Sequence, residues 1–322
     1  MTVTLPPELP AWQVRRPTSD DLDALHRLAH DLDLALLGVS DITRADVAAD
    51  LASTTAAAER NQLVVLDGDR MLAWIWVEDR AVQRISIDLF VDRSLPADLL
   101  DRLGGWGWRW AVERGWQIAA DHGWGSTQLE VGVLAADTLA GPWLTDLGFT
   151  HARTFWRMGR SVAADDSWPR SPGVVVRMAR GDESALVHEV YEEAFADHWN
   201  HAHQPFDVWW GHQQESAGFD PSLWWLAEVD GEPVGVLIGS SVSGDDGALY
   251  VPTLGVRRAG RGRGVAKALL YNAFAHAPQR GWHRVTLTVD GESPTGATAL
   301  YRSVGMDVEF EISNWLMTVE PS

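Results

Sequence analysis

The chain contains no cysteine. Disulfides, thiolate metal sites and cysteine nucleophiles are therefore excluded. It has a single lysine, Lys267, so arginine carries nearly all the positive charge, which points to a coding bias rather than a chemical need. Long apolar runs are missing too, and none approaches the ~20 residues that cross a bilayer. The opening MTVTLPPELPAW has neither the basic region nor the apolar core of a secretion signal. A soluble cytoplasmic protein with no membrane partner is the expectation. Positive charge is scarce overall: 26 Lys and Arg against 45 Asp and Glu leave a net charge of −19. A nucleic-acid partner would need a basic face, so none is expected. The acidity can steer a cationic amine toward the protein, or it can serve solubility alone.

What is present suggests two domains. The chain is 322 residues long, 46% hydrophobic and 22% charged, enough for substantial cores. Eighteen tryptophans are unusual, several of them clustered: Trp106, Trp108 and Trp110; Trp209 and Trp210; Trp224 and Trp225. Core packing accounts for such residues; an aromatic channel for a large substrate or acyl chain is the alternative.

Laying the halves over each other exposes a repeat. Val14-Arg15 with Asp20-Asp21 recurs as Val176-Arg177 with Asp182-Glu183, Leu66-Asp67-Gly68-Asp69 as Val229-Asp230-Gly231-Glu232, and Leu147-Gly148-Phe149 as Val304-Gly305-Met306. The offset stays between 157 and 163 residues. Each copy reads as short strand, acidic cap, amphipathic helix, then strands joined by a hairpin. The first copy predicts helices over Asp20 to Leu36, Arg44 to Ala58 and Leu99 to Ala119, the last weakened by Gly104, Gly105 and Gly107. Its strands fall at Gln62 to Leu66, Met71 to Val77, Arg84 to Val91 and Ser126 to Val133. The second predicts helices Asp182 to Ala196, Val208 to Ser216, Val265 to Arg280 and Thr295 to Ser303. Its strands are Trp224 to Val229, Pro233 to Ser240, Leu249 to Val256, Arg284 to Val289 and Val308 to Val319. The expected layout is a domain over 1–160, a polar linker with two prolines over 161–172, and a second domain over 173–322.

The second copy holds the stretch that organises the rest, LGVRRAGRGRGVAKALL from Leu254 to Leu270. An apolar strand stops at a loop containing Gly260, Gly262 and Gly264, and a helical pattern follows. Glycines let consecutive backbone N–H groups point inward, and the first helical turn adds free N–H groups and the positive dipole end. This is an anion cradle suited to phosphate. Arg257, Arg258, Arg261, Arg263 and Lys267 crowd it, and no acid occurs between Gly247 and Val289. The plainer reading is a tight turn with solvated arginines. Neither the dinucleotide-binding nor the Walker spacing fits.

Arg261-x-x-Gly264-x-Ala266 does resemble the acyl-CoA pyrophosphate loop of the GCN5-related N-acetyltransferases, the GNAT family. Ala297-x-x-Leu300-Tyr301-x-x-x-Gly305-Met306 resembles that family's later helix and turn. Tandem copies resemble those of mycothiol synthase and the glycopeptide-antibiotic N-acyltransferases. The resemblance spans roughly 175 to 319. It implies an α/β fold (an α+β mixed sheet) of two tandem GNAT-like domains, each a mostly antiparallel twisted sheet flanked by helices. It implies acetyl-CoA or another acyl-CoA as cosubstrate, bound through Leu254, Val256, Arg261, Gly262, Arg263, Gly264, Val265 and Ala266. Tyr301 falls where the family places the acid that protonates the departing thiolate. A bulge or sheet edge is expected at Pro252, which has no N–H.

The general base is less direct. Many relatives carry a glutamate where this chain has Tyr250. His198, His201 and His203 are the next candidates, and His198 is favoured because a histidine in this region is thought to serve the glycopeptide enzymes. The spacing His-x-x-His-x-His also matches a metal site but lacks a carboxylate partner, so no metal is expected. The family's asparagine before the last helix falls near Pro294, replaced by Ser293 or Thr295. In the first copy Pro96, Leu99 and Asp101 stand opposite Arg261, Gly264 and Ala266, so that copy should keep the fold, not bind CoA in the usual way, pack against the second copy and wall the acceptor site. The implied reaction is acyl transfer to a primary amine of a small molecule by direct attack in a ternary complex, in a monomer or homodimer. Alternatives are a long-chain acyl donor acting on a large aromatic metabolite, and a catalytically silent CoA-binding protein.

Overall fold

The computed structural model describes residues 3–40, 42–51, 61–196, 203–216, 218–241, 247–293 and 296–320. The fold is mixed α/β, with helices alternating with strands along the chain. The chain forms two compact units. One comprises 1–156, 290–292 and 310–322; the other comprises 157–289 and 293–309.

In the first unit, strands β1 (Gln13–Arg15), β2 (Gln62–Asp67), β3 (Arg70–Ala81) and β4 (Arg84–Val91) pair antiparallel in order. β5 (Thr127–Leu134) then runs parallel to β4. Helices α1 (Leu22–Leu37) and α2 (Arg44–Leu51) precede the hairpins; α3 (Ala97–Asp121) joins β4 to β5, and α4 (Ala140–Asp146) follows. In α1 the buried Leu25, Leu28, Ala29 and Leu32 keep helical spacing, and Gly38 ends the helix at φ +75°. The glycines of α3 are packing positions. A Cβ on Gly107 would lie 3.0 Å from Leu89, and one on Gly115 would lie 3.0 Å from Leu129. A helix penalised by glycine on propensity thus gains a close approach to the sheet.

Two further elements escape the sequence patterns: α4 and the strand β6 (Thr150–Ser161). The last strand, β12 (Asp307–Val319), pairs antiparallel with β5 from Ile312 opposite Leu134 to Val319 opposite Thr127. The end of the second sequence copy is therefore a strand of the first unit.

The second unit contains β7 (Val174–Met178), β8 (Trp224–Val229), β9 (Glu232–Ser240) and β10 (Ala248–Val256), antiparallel in order. β11 (Arg284–Asp290) is parallel to β10. The helices are α5 (Ser184–Phe195), α6 (Phe206–Glu215), α7 (Val265–His276) and α8 (Ala297–Ser303). Helix α7 stops short of the expected Arg280 because Pro278 sits in a 3₁₀ turn over Ala277–Arg280. Segment 161–172 lies against α7 in this unit, with Trp168 stacked on Tyr271 at 5.8 Å.

The repeat has a physical signature. Arg15 makes a two-pronged pair with Asp21 at 2.6 and 2.6 Å, and Arg177 makes the same pair with Glu183 at 2.7 and 2.9 Å. In each case the acid also accepts a backbone N–H three residues earlier, from Thr18 or Arg180. The tryptophan clusters mostly fill cores: Trp74, Trp106, Trp108, Trp209, Trp224 and Trp225 are buried.

Candidate functional site

The site begins where β10 parts from β11. Their parallel register runs from Ala248 opposite Arg284 to Val251 opposite Leu287, while β10 stays paired with β9 through Val256. The register with β9 shifts between Tyr250 and Thr253, the bulge expected at Pro252. Leu254 and Val256 lie on this diverging end, both half-buried. The chain then makes a 3₁₀ turn over Arg258–Gly260 and reaches α7 through Gly262 and Gly264, both left-handed at φ +76° and +80°. Gly264 caps α7, whose first internal bond runs from Ala268 N–H to Gly264 O at 3.0 Å. The N–H groups of Val265, Ala266 and Lys267 are left pointing out of the helix start.

Glycines also bring the helix down on the sheet. A Cβ on Gly235 would meet Val265 Cγ1 at 2.5 Å, and one on Gly260 would meet Val234 at 2.9 Å. Nothing lies within 4 Å of a Cβ placed on Gly262, so the turn opens outward. An outward-facing row of amides at a helix N-terminus, ringed by arginine, fits a pyrophosphate.

The arginines divide by role. Arg257 turns to α5, pairing with Glu189 at 2.6 Å and Glu193 at 2.9 Å and donating to Pro233 O at 2.8 Å. It is a clamp between α5 and the end of β10, where a Cβ on Gly255 would strike Ala194 at 2.8 Å. Arg261 donates to the carbonyls of Val256 and Ala194, each at 3.3 Å. Arg263 makes an exposed pair with Asp230 at 2.9 Å.

Tyr301 projects from α8 into the interior and is buried. Burial pushes its phenol up to about 12, so it stays protonated at neutral pH. The turn after it is fixed by Met306 N–H donating to Tyr301 O at 3.1 Å and by Arg160 donating to Val304 O. Tyr250 carries the Arg157 guanidinium 4.6 Å from its ring centre. His198, His201, Pro294 and Thr295 lie outside the described residues. His203 is described, and its Nδ1 is 2.6 Å from Glu192 Oε2. Glu192 also accepts the Gln204 N–H at 3.4 Å, and His188 Nε2 lies 2.9 Å from Gln204 O. Sequence reasoning passed over Glu192, His188 and Arg157. Only the His188-to-Glu192 spacing of four could have flagged a pair on one helix face.

The equivalent place in the first unit is filled. Arg93, just past β4, pairs with Asp137, just past β5, both largely buried. Burial lowers the Arg93 guanidinium from its ordinary value. Trp143 lies against Gly104 of α3 and donates from its indole N–H to Asp101 at 2.7 Å. Leu144, fully buried, stands where the repeat offset puts Tyr301.

Residues 185–306 match the Acetyltransferase (GNAT) family. The chain is 36% identical over 166 residues to a mycothiol acetyltransferase of Thermobispora bispora, covering 49% of this chain and 55% of that protein. It is 34% identical over 180 residues to one of Salinispora tropica, covering 50% and 53%. The chain thus spans about half the length of the curated relatives it matches. A GCN5-related N-acetyltransferase from Sphaerobacter thermophilus superposes with a TM-score of 0.81 at 27% identity, covering 99% of this chain and 98% of that one. A tandem GNAT protein from the clavulanic acid biosynthesis pathway shares the fold, with a TM-score of 0.66 at 16% identity over 97% and 99% of the two chains. The Val256-to-Ala266 turn and the Tyr301 helix both fall inside the 185–306 span that matches the GNAT acetyltransferase family.

Proposed function

We propose that the chain is an acyl-CoA-dependent N-acetyltransferase acting on a primary amine of a small molecule, with the second copy active and the first silent. The observation that carries the reading is the outward-facing turn of Gly262 to Lys267 at the start of α7, inside the segment that matches the GNAT family. When bound, acetyl-CoA supplies the thioester that the amine attacks. Residues Gly262 to Lys267 hold its pyrophosphate through backbone amides, helped by Arg261 and Arg263. The diverging end of β10, at Leu254 and Val256, offers backbone groups to the rest of the cosubstrate and orients it.

Tyr301 is the proposed proton donor to the leaving sulfur. A phenol held at about 12 stays protonated at neutral pH and so has a proton to donate toward the sulfur as it departs. His198 is the proposed base. Within the same histidine group, His203 is held by Glu192, a contact that fixes the orientation of its imidazole. The net charge of −19 favours approach of an amine in its ammonium form. The acceptors of the mycothiol acetyltransferase relatives belong in the first panel of amines to test.

Calorimetric titration with acetyl-CoA, then with decanoyl-CoA, tests the reading. Binding of acetyl-CoA at one site per chain, with thiol release on adding an accepted amine, is the expected result. A marked preference for decanoyl-CoA would replace acetyl transfer with long-chain transfer, and no binding of either would remove the cosubstrate assignment. Acyl-CoA binding without thiol release across a broad amine panel would favour a silent binding protein.

A further inference from the structure

We propose that the segment joining the two sequence copies is part of the cosubstrate site, with Arg170 recognising the 3′-phosphate of the acyl-CoA nucleotide. The inference rests on the reading of Gly262 to Lys267 as the pyrophosphate cradle.

The segment is fastened along α7. Val162 N–H donates to His283 O at 2.8 Å. Trp168 stacks on Tyr271 and tilts against Phe274 at 5.0 Å, with the Arg160 guanidinium 4.7 Å from its ring. Three residues later, Ser171 Oγ donates to Gly264 O at 3.2 Å and stands 3.3 Å from the place a Gly264 Cβ would take. The two spans agree: three extended residues cover about 10 Å, and the seven helical steps from Gly264 to Tyr271 also rise about 10 Å. The segment therefore follows α7 to its first turn. There it reverses, with Val174 N–H donating to Ser171 O at 3.2 Å and Gly173 at φ +75°.

Arg170 precedes the residue that touches the capping glycine, so its Cα lies about 3.8 Å from that of Ser171. Its side chain is exposed and, among the described residues, makes no hydrogen bond or ion pair. Of the arginines nearest the cradle, Arg257 is paired with Glu189 and Glu193, and Arg261 and Arg263 are the ones assigned to the pyrophosphate. With the pyrophosphate seated on the α7 amides, the 3′-phosphate is the remaining strongly charged group at the rim. A guanidinium fork matches its oxygens in geometry and charge.

Calorimetric titration of the full chain and of R170Q with CoA and with 3′-dephospho-CoA closes a cycle that isolates this contact. R170Q should weaken CoA binding roughly 1.5- to 5-fold, the range of an exposed charge pair, and leave dephospho-CoA binding unchanged. The unaltered chain should prefer CoA by a similar factor, and the preference should shrink at high salt. Equal weakening of both ligands would place Arg170 on the pyrophosphate and overturn the proposal, as would no change with either. If the unaltered chain binds neither ligand, the cradle reading itself falls and takes this inference with it. An unchanged thermal midpoint for R170Q shows that the fold is intact.

Discussion

The two copies share their scaffold and differ at one place. Each has the arginine–carboxylate pair after its first strand, and each has a parallel strand pair that meets only at its start: Arg84 to Ser86 against Gln128 to Glu130, and Ala248 to Val251 against Arg284 to Leu287. Beyond that point the second copy enters its helix through the left-handed Gly262 and Gly264, with open space at Gly262. The first instead bridges the two strand ends with Arg93 and Asp137, and Trp143 lies over Gly104. The divergence of the strands is thus a property of the fold, and what occupies the gap decides whether it is a site. A buried ion pair is a poor source of net stability, so the closure depends mainly on the tryptophan packed beside it.

The sharpest way to break the comparison is to remove that tryptophan. Trp143→Ala should destabilise the first unit by about 3–5 kcal/mol, the usual loss for a large buried aromatic, read by chemical denaturation. Acetyl-CoA should still bind once per chain, because Pro96, Asp98 and Asp101 keep that helix start hostile to phosphate. A second acetyl-CoA per chain would mean that the tryptophan alone had closed the first copy.

The next contrast is Tyr301 against Leu144. Tyr301→Phe should lower kcat about 100-fold, as loss of a general acid does, while the calorimetric affinity for acetyl-CoA stays the same. A parallel fall in affinity with no change in kcat would make Tyr301 a packing residue like its counterpart. Smaller again is the cradle itself. Gly264→Ala forces a side chain into the left-handed region, at about 1–2 kcal/mol, so acetyl-CoA affinity should fall roughly 5- to 30-fold. Leu99→Ala at the corresponding place should leave it unchanged.

Much of this was legible in the chain. The glycine turn into α7, the Tyr301 helix, the bulge at Pro252 and the repeat all announce themselves through glycine, proline and apolar spacing, which act locally. Strand partners do not. Residues 310–319 read as a strand in either unit, because alternation says which face is buried and not which neighbour is bonded. β6 was missed because THARTFWRMGRS is half-buried along most of its length and shows no alternation. Among five bases around the loop, composition could not tell that Arg257 faces Glu189 and Glu193. That depends on how α5 crosses β10, a tertiary fact. The same holds for Ser171, whose contact with Gly264 spans more than ninety residues of sequence.

The smallest expected effect concerns what the copies share. Hydrogen bonds from Arg177 hold the Glu183 carboxyl down at about 2, and Arg15 lowers Asp21 in the same way. A carboxyl depressed in the folded state stabilises it above the ordinary carboxylate range and loses that contribution as pH falls through the folded value. For Glu183 the window runs from about 4.5 down to about 2. Glu183→Gln should therefore lower the thermal midpoint at neutral pH by about 2–4 °C and make its dependence on pH shallower within that window. Asp21→Asn should do the same in the first unit. Matching slopes in calorimetry across pH would make the pair a common device of the fold, independent of whether the copy binds a cosubstrate. Flattening in Glu183→Gln alone would tie the pair to the second copy and remove it from the shared scaffold.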